Sequence, residues 1–240
     1  MPTVQLETEV YPDVRIETDV RTPMRDGVPL ASDIYRPATD EPCPVLLMRQ
    51  PYGRDIASTV VYAQPVWYAR NGYIVVIQDV RGRGGSEGAF DPFRNEGADG
   101  RDTVEWAANL PGGNGRVGMY GFSYQGSTQY FAAAERPDAL RAIAPHMTAL
   151  DPYSGWFYRD GMLNLHSTLG WANQMLREDA ARMKARDAYD ALEASWKRGG
   201  LAAQLPVAET DPLTRDDLPG YAAEWLARPE RDAYWDALDA

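Results

Sequence analysis

The sequence predicts an α/β fold, a mainly parallel sheet with flanking helices, followed by a helical cap. Three observations carry that expectation. Segments with strand and helix patterns alternate through residues 45–146, as a parallel sheet with crossover helices requires. The run at 73–77 (YIVVI) is apolar throughout, the mark of a strand covered on both faces. Beyond residue 151 strand patterns stop and long helical ones take over. The expected division is residues 1–150 for an α/β core with an incomplete sheet, and 151–240 for the cap.

Taken in order, residues 14–20 (VRIETDV) and 28–36 (VPLASDIYR) alternate apolar with polar, as half-buried antiparallel strands do. Arg25, Asp26 and Gly27 between them signal a hairpin turn. An apolar strand follows at 45–48 (VLLM) and runs into a loop at 49–53 (RQPYG). Residues 60–70 read as a helix closed by Asn71 and Gly72. After the strand at 73–77 comes a glycine-rich loop, 79–88 (DVRGRGGSEG). It fits neither G-x-x-x-x-G-K-[ST] nor G-x-G-x-x-G, so it reads as structural, and a nucleotide-binding protein is disfavoured. Residues 95–110 form the next expected helix, and 140–146 (LRAIAPH) a short strand after the break at Arg136, Pro137 and Asp138. In the cap, helices are expected near 160–177, 178–198 and 218–239, with breaks at Gly199, Gly200, Pro206, Pro219 and Gly220.

Between the last two elements of the core lies the stretch that points to chemistry. Residues 115–135 read as a short strand, a serine flanked by glycines, and an alanine-rich helix. This is the pattern of a nucleophile elbow, in which the chain turns sharply and lifts a serine to the apex. Gly121 stands two before Ser123, where a Cβ would collide with the turn. The second glycine comes one position late, at Gly126 with Gln125 before it, so the spacing is G-x-S-x-x-G instead of G-x-S-x-G. The competing reading is a tight turn whose serine caps the helix.

Composition limits the alternatives. The 240 residues, 44% apolar and 25% charged, suit one large soluble core with an insertion. A net charge of −11 argues against a nucleic-acid partner, because phosphates would find nothing to neutralise them. No run approaches the roughly 18 to 20 apolar residues of a membrane span. Residues 1–10 lack the basic and apolar regions of a signal peptide, so a cytoplasmic location is expected. The single cysteine, Cys43, excludes an internal disulfide and speaks against a cysteine zinc site. No metal or organic cofactor is expected, and homo-oligomerisation stays open.

Four stretches together resemble the cocaine-esterase and X-prolyl dipeptidyl-peptidase branch of the α/β-hydrolases, often called the CocE/NonD family. They are residues 49–53 (RQPYG), 78–86 (QDVRGRGGS), 96–106 and 118–126 (GMYGFSYQG). The resemblance runs from about residue 14 to the end and is weakest in the cap. The family favours Ser-Tyr-x-Gly at its elbow, which accommodates the late glycine. One departure is Pro111 with Gly112, where the family usually shows Pro-Trp. The resemblance implies that Ser123 is the nucleophile. It also implies an oxyanion hole made of the Tyr52 hydroxyl and the Tyr124 backbone N–H; one such donor is typically worth about 3 to 4 kcal/mol of barrier. Trp156 and Trp171 correspond to aromatics that line the family's acyl pocket. From the residues alone, Tyr52 would be a turn residue and the two tryptophans core aromatics.

A serine nucleophile needs a base, and the base an acid, in the order Ser, Asp or Glu, His. Only two histidines exist: His146 after the strand that follows the elbow, and His166 at the start of the cap's first helix. Neither sits in the expected order with an acidic loop residue, although Asp151 is a formal candidate. Asp79, Asp99 and Asp102 look structural. The family carries its acid and base after two strands beyond the cap. The expectation is an N-terminal portion of a longer serine hydrolase, or a natural truncation of one, acting on carboxylic esters or X-Pro peptide bonds. Such a piece would show an exposed sheet edge and little turnover on its own. The alternative is a catalytically inactive remnant or binding domain that keeps the fold and its aromatic pocket.

Overall fold

A computed structural model describes residues 13–56 and 62–240. Backbone packing divides the chain after Leu150, and the second unit runs Asp151–Asp239. In the first unit, β1 (Val14–Pro23) and β2 (Pro29–Pro37) form the expected antiparallel hairpin. Then come β3 (Cys43–Gln50), α1 (Pro65–Arg70), β4 (Ile74–Asp79), α2 (Glu96–Ala108), β5 (Gly113–Phe122), α3 (Tyr124–Ala134) and β6 (Leu140–His146). The helix expected at 60–70 starts at Pro65, whose fixed φ suits a first helical position; residues 60 and 61 lie outside the described residues.

The sheet order is β1-β2-β4-β3-β5-β6. β2 pairs antiparallel with β4, whereas β4, β3, β5 and β6 are mutually parallel. Successive side chains of a strand face opposite ways, so the apolar runs of β3 and β4 feed two cores. Val45, Leu47, Ile74 and Val76 pack with Val104 and Ala107 of α2 and Ala132 of α3. Met48, Val75 and Ile77 pack on the other face with Val66 and Ala69 of α1.

This order fixes where a site can form. After β3 the chain goes to α1 on one face; after β5, its parallel neighbour, it goes to α3 on the other. Two adjacent strands whose exits diverge leave a crevice at their C-terminal ends, where ligands bind in open α/β sheets. At the far side, β6 is the edge of the described sheet, and Arg141, Ala142, Ala144 and His146 are exposed along it.

The second unit departs from the purely helical cap the sequence suggests. A π-helical turn, Tyr153–Phe157, leads into a small hairpin of β7 (Tyr158–Arg159) and β8 (Met162–Leu163). Asp160 (φ 50°) and Gly161 (φ 78°) form its two-residue turn, and an Asp-Gly pair at positive φ is what such turns select. α4 (Leu165–Arg182) runs past the break expected near 177 and is followed by α5 (Arg186–Lys197). The segment expected at 218–239 is two short helices, α6 (Tyr221–Ala227) and α7 (Ala233–Asp236), because Pro229 cannot continue the ladder. Their core is aromatic: Trp225 stacks on Phe157 at 4.4 Å between ring centroids and on Trp171 at 5.4 Å. Among the described residues no helix is long and apolar enough to cross a membrane.

Candidate active site

Ser123 stands between β5 and α3 with φ 63° and ψ −125°, a conformation non-glycine residues reach only when their surroundings force it. The forcing contacts are visible. Ser123 N–H donates to the His146 carbonyl at 2.9 Å, and the Ser123 carbonyl accepts from Gly126 N–H at 2.8 Å. Gly121 has φ 153°, and a Cβ there would meet the Cβ of Gln125 at 2.4 Å. A Cβ on Gly126 would meet Thr148 Cγ2 at 2.6 Å. Both glycines of the G-x-S-x-x-G spacing are thus required by close approach. The serine side chain makes no capping hydrogen bond to α3, so the capping role weighed from sequence is not what holds it. It is half-buried at the sheet rim.

Tyr124 opens α3, where the backbone amides lie beyond the helix's own hydrogen-bond ladder. Its side chain anchors that helix start. The phenol is fully buried; it accepts from Phe93 N–H at 2.9 Å and donates to Glu96 Oε1 at 3.0 Å. Glu96 in turn accepts from Arg49 Nη1 at 2.8 Å, and Arg49 Nε donates to Gln78. Burial, and next the Glu96 carboxyl, push the Tyr124 phenol well above its ordinary range, so it stays a donor. Burial likewise raises Glu96, with Arg49 opposing. This network beneath the elbow was not anticipated; Glu96 and Arg49 carried only a family likeness.

Tyr52 is half-buried in the bend directly after β3. β3 and β5 are parallel neighbours that end at Gln50 and Phe122, each three residues beyond the Leu47–Met119 pair, so both exits leave the same rim. The following residue, Gly53, has φ 100°. Arg54 then pins the bend, with Nε on Asp33 at 2.9 Å and Nη1 on Asp79 at 2.5 Å. Asp79 also accepts from Gly85 N–H, and Ser86 Oγ donates to the Asp79 carbonyl. The loop at 79–88 is therefore a structural buttress, as expected from sequence. Asp99 pairs with Arg81 and Asp102 with Arg25, again in structural roles.

In the second unit, Trp156 and Trp171 are both half-buried and lie 5.6 Å apart between ring centroids. His166 is exposed near the start of α4. His146 is exposed at the end of β6, its ring edge-on to Phe122 at 6.4 Å. Among the described residues neither imidazole hydrogen-bonds the Ser123 hydroxyl. Asp151 is engaged elsewhere, accepting from Ser154 Oγ at 2.7 Å and from Arg231. Partial burial works against ionisation, but these bonds prevail and hold the Asp151 carboxyl below its ordinary range. No group of His, Cys, Asp and Glu among the described residues is arranged to hold a metal ion.

A mainly parallel sheet of this order, with a strained serine between β5 and α3 at its crevice, defines an α/β-hydrolase type of protein. The chain belongs to the X-Pro dipeptidyl-peptidase (S15) family, whose model matches residues 26–240. It is 37% identical over 232 residues to the cocaine esterase of Rhodococcus sp. (strain MB1 Bresler), covering 93% of this chain and 40% of that protein. Among solved structures, a CocE/NonD family hydrolase from Staphylococcus aureus superposes with a TM-score of 0.70 at 23% identity, covering 94% of this chain and 38% of that one. An α-amino acid ester hydrolase matches with a TM-score of 0.68 at 25% identity, over 94% and 39% respectively. The chain thus spans about two fifths of the length of these relatives.

Proposed function

We propose that the chain carries the nucleophile and oxyanion hole of a serine hydrolase that transfers acyl groups from carboxylic esters or X-Pro peptide bonds. The observation that carries the reading is the Ser123 backbone at φ 63°, ψ −125° between a parallel strand and a helix start. Ser123 Oγ attacks the scissile carbonyl and forms a tetrahedral oxyanion. The Tyr124 N–H and the Tyr52 hydroxyl donate to that oxygen, where charge develops. The alcohol or amine leaves, and water releases the acyl group from the serine. Membership of the S15 family and likeness to cocaine esterase support the acyl-transfer chemistry. By the family resemblance, Trp156 and Trp171 are the candidates for aromatic residues that bind the acyl portion. The substrate is a small ester or short peptide in a cytoplasmic setting, and no cofactor takes part.

In this reading neither imidazole serves as the proton acceptor, since among the described residues neither hydrogen-bonds the Ser123 hydroxyl, although the His146 carbonyl accepts from the Ser123 backbone N–H. The test supplies a surrogate base. In added imidazole the chain should hydrolyse a p-nitrophenyl ester in a Ser123-dependent manner, with Ser123→Ala at the imidazole blank and little turnover when imidazole is absent. Equal rates for wild type and Ser123→Ala in imidazole would leave the binding-domain reading. Robust Ser123-dependent turnover without imidazole would place the base within this chain.

A further inference from the structure

The two proposed oxyanion donors sit on different loops, Tyr124 on the elbow and Tyr52 on the exit of β3. Catalytic hydrogen bonds lose their worth when donors drift by about half an ångström to one ångström, so something must hold the loops in register. A chain of side-chain amides does this. Phe122 N–H, the residue before the nucleophile, donates to Gln125 Oε1 at 3.1 Å. Gln125 Nε2 donates to Gln50 Oε1 at 3.0 Å. Gln50 Nε2 donates to the Gly53 carbonyl at 2.7 Å, one residue past Tyr52. Both amides are buried, Gln50 fully and Gln125 at 4% exposure. The backbone N–H at one end and the carbonyl at the other fix the direction of the relay, so each amide has only one orientation that satisfies it. Gln125 also occupies the position where the commoner elbow has a small residue, so the side chain that spans the two loops stands where the G-x-S-x-G spacing would place a glycine.

We infer that Gln125 and Gln50 are positioning residues that set the Tyr52 hydroxyl against the elbow, and so determine how well the oxyanion is bound. The inference rests on the oxyanion role proposed for Tyr52. Gln50→Met is the cleaner cut, because it keeps side-chain length in a buried site and removes only the link to Gly53 and Gln125. Gln125→Met is the second variant, should the first fail to fold, as judged by circular dichroism and thermal melting.

The test is a double-mutant cycle with Tyr52→Phe, read as imidazole-dependent, Ser123-dependent ester hydrolysis. Each glutamine variant should slow the reaction roughly tenfold or more in the parent chain and less than about twofold in the Tyr52→Phe background, since its effect passes through the phenol. A merely structural role would slow both backgrounds alike, and that result overturns the inference. So does a glutamine variant that leaves the parent rate unchanged while Tyr52→Phe lowers it. If Tyr52→Phe alone changes nothing, it is the oxyanion role of Tyr52 that fails, and the inference falls with it.

Discussion

Ser123 holds a backbone conformation that costs on the order of 1–3 kcal/mol, offset only by the closely packed turn around it. That turn has no slack at Gly121. Gly121→Ala would drive a methyl to 2.4 Å from Gln125 Cβ. We expect it to destabilise the chain by about 1–3 kcal/mol, seen as a lowered melting temperature, with the elbow distorted. Tyr52→Phe is the complementary change: it removes one hydroxyl from the proposed oxyanion hole, and imidazole-supported hydrolysis should fall about a hundredfold or more. The sequence made Gly121 and Ser123 legible because a strained turn demands those residue types at that spacing. It could not show what Gln125 does, because its partner Gln50 is distant in sequence and meets it only once β3 and β5 are neighbours.

At the scale of elements, helix ends show what local sequence reveals and what it hides. α5 closes on Gly199 at φ 65°, with Gly200 N–H reaching back to the Ser195 carbonyl, and the glycine announces the break. α4 closes by the same arrangement, Ala185 N–H to the Ala180 carbonyl, but the left-handed residue is Lys184 at φ 59°. A lysine there carries no stop signal, so the break was misplaced. The Asp160-Gly161 hairpin was visible as a turn dipeptide but was lost among the expected helices.

The hairpin of β1 and β2 is tied to α2 by Arg25, which donates from its backbone N–H to Asp102 at 2.8 Å and from its side chain at 2.8–3.1 Å. Partial burial opposes ionisation of Asp102, but these bonds prevail and hold its carboxyl below the ordinary value of 3.8. A depressed folded-state pKa stabilises above the unfolded value, and that contribution is lost as pH falls through the folded one. Asp102→Asn should therefore lower stability at neutral pH and flatten its decline on acidification, as followed by urea melts across pH 2 to 7 (roughly the range that brackets carboxylate titration). Tyr124→Phe would strip Glu96 and the Phe93 amide of a buried partner, at a cost of about 1–3 kcal/mol in the same melts.

For the whole molecule, the sheet's two apolar faces are the source of both stability and site. Leu47 is fully buried among α2 and α3 contacts, and Leu47→Ala should cost about 2–5 kcal/mol. The alternating and fully apolar runs made a mainly parallel sheet readable in advance, whereas the strand order, and with it the crevice where β3 and β5 part, depends on pairings between distant segments. The aromatic packing of the second unit was not readable, because tryptophans in a helical segment announce burial without saying against what. The account depends on one hydroxyl raised by the elbow and poised to react. Peptide mapping after treating the chain with a fluorophosphonate in imidazole addresses that directly. It predicts a single phosphonyl adduct on the peptide containing Ser123, formed faster as imidazole rises and slowed by Tyr52→Phe. No adduct, or an adduct spread over other serines at comparable rates, would contradict it.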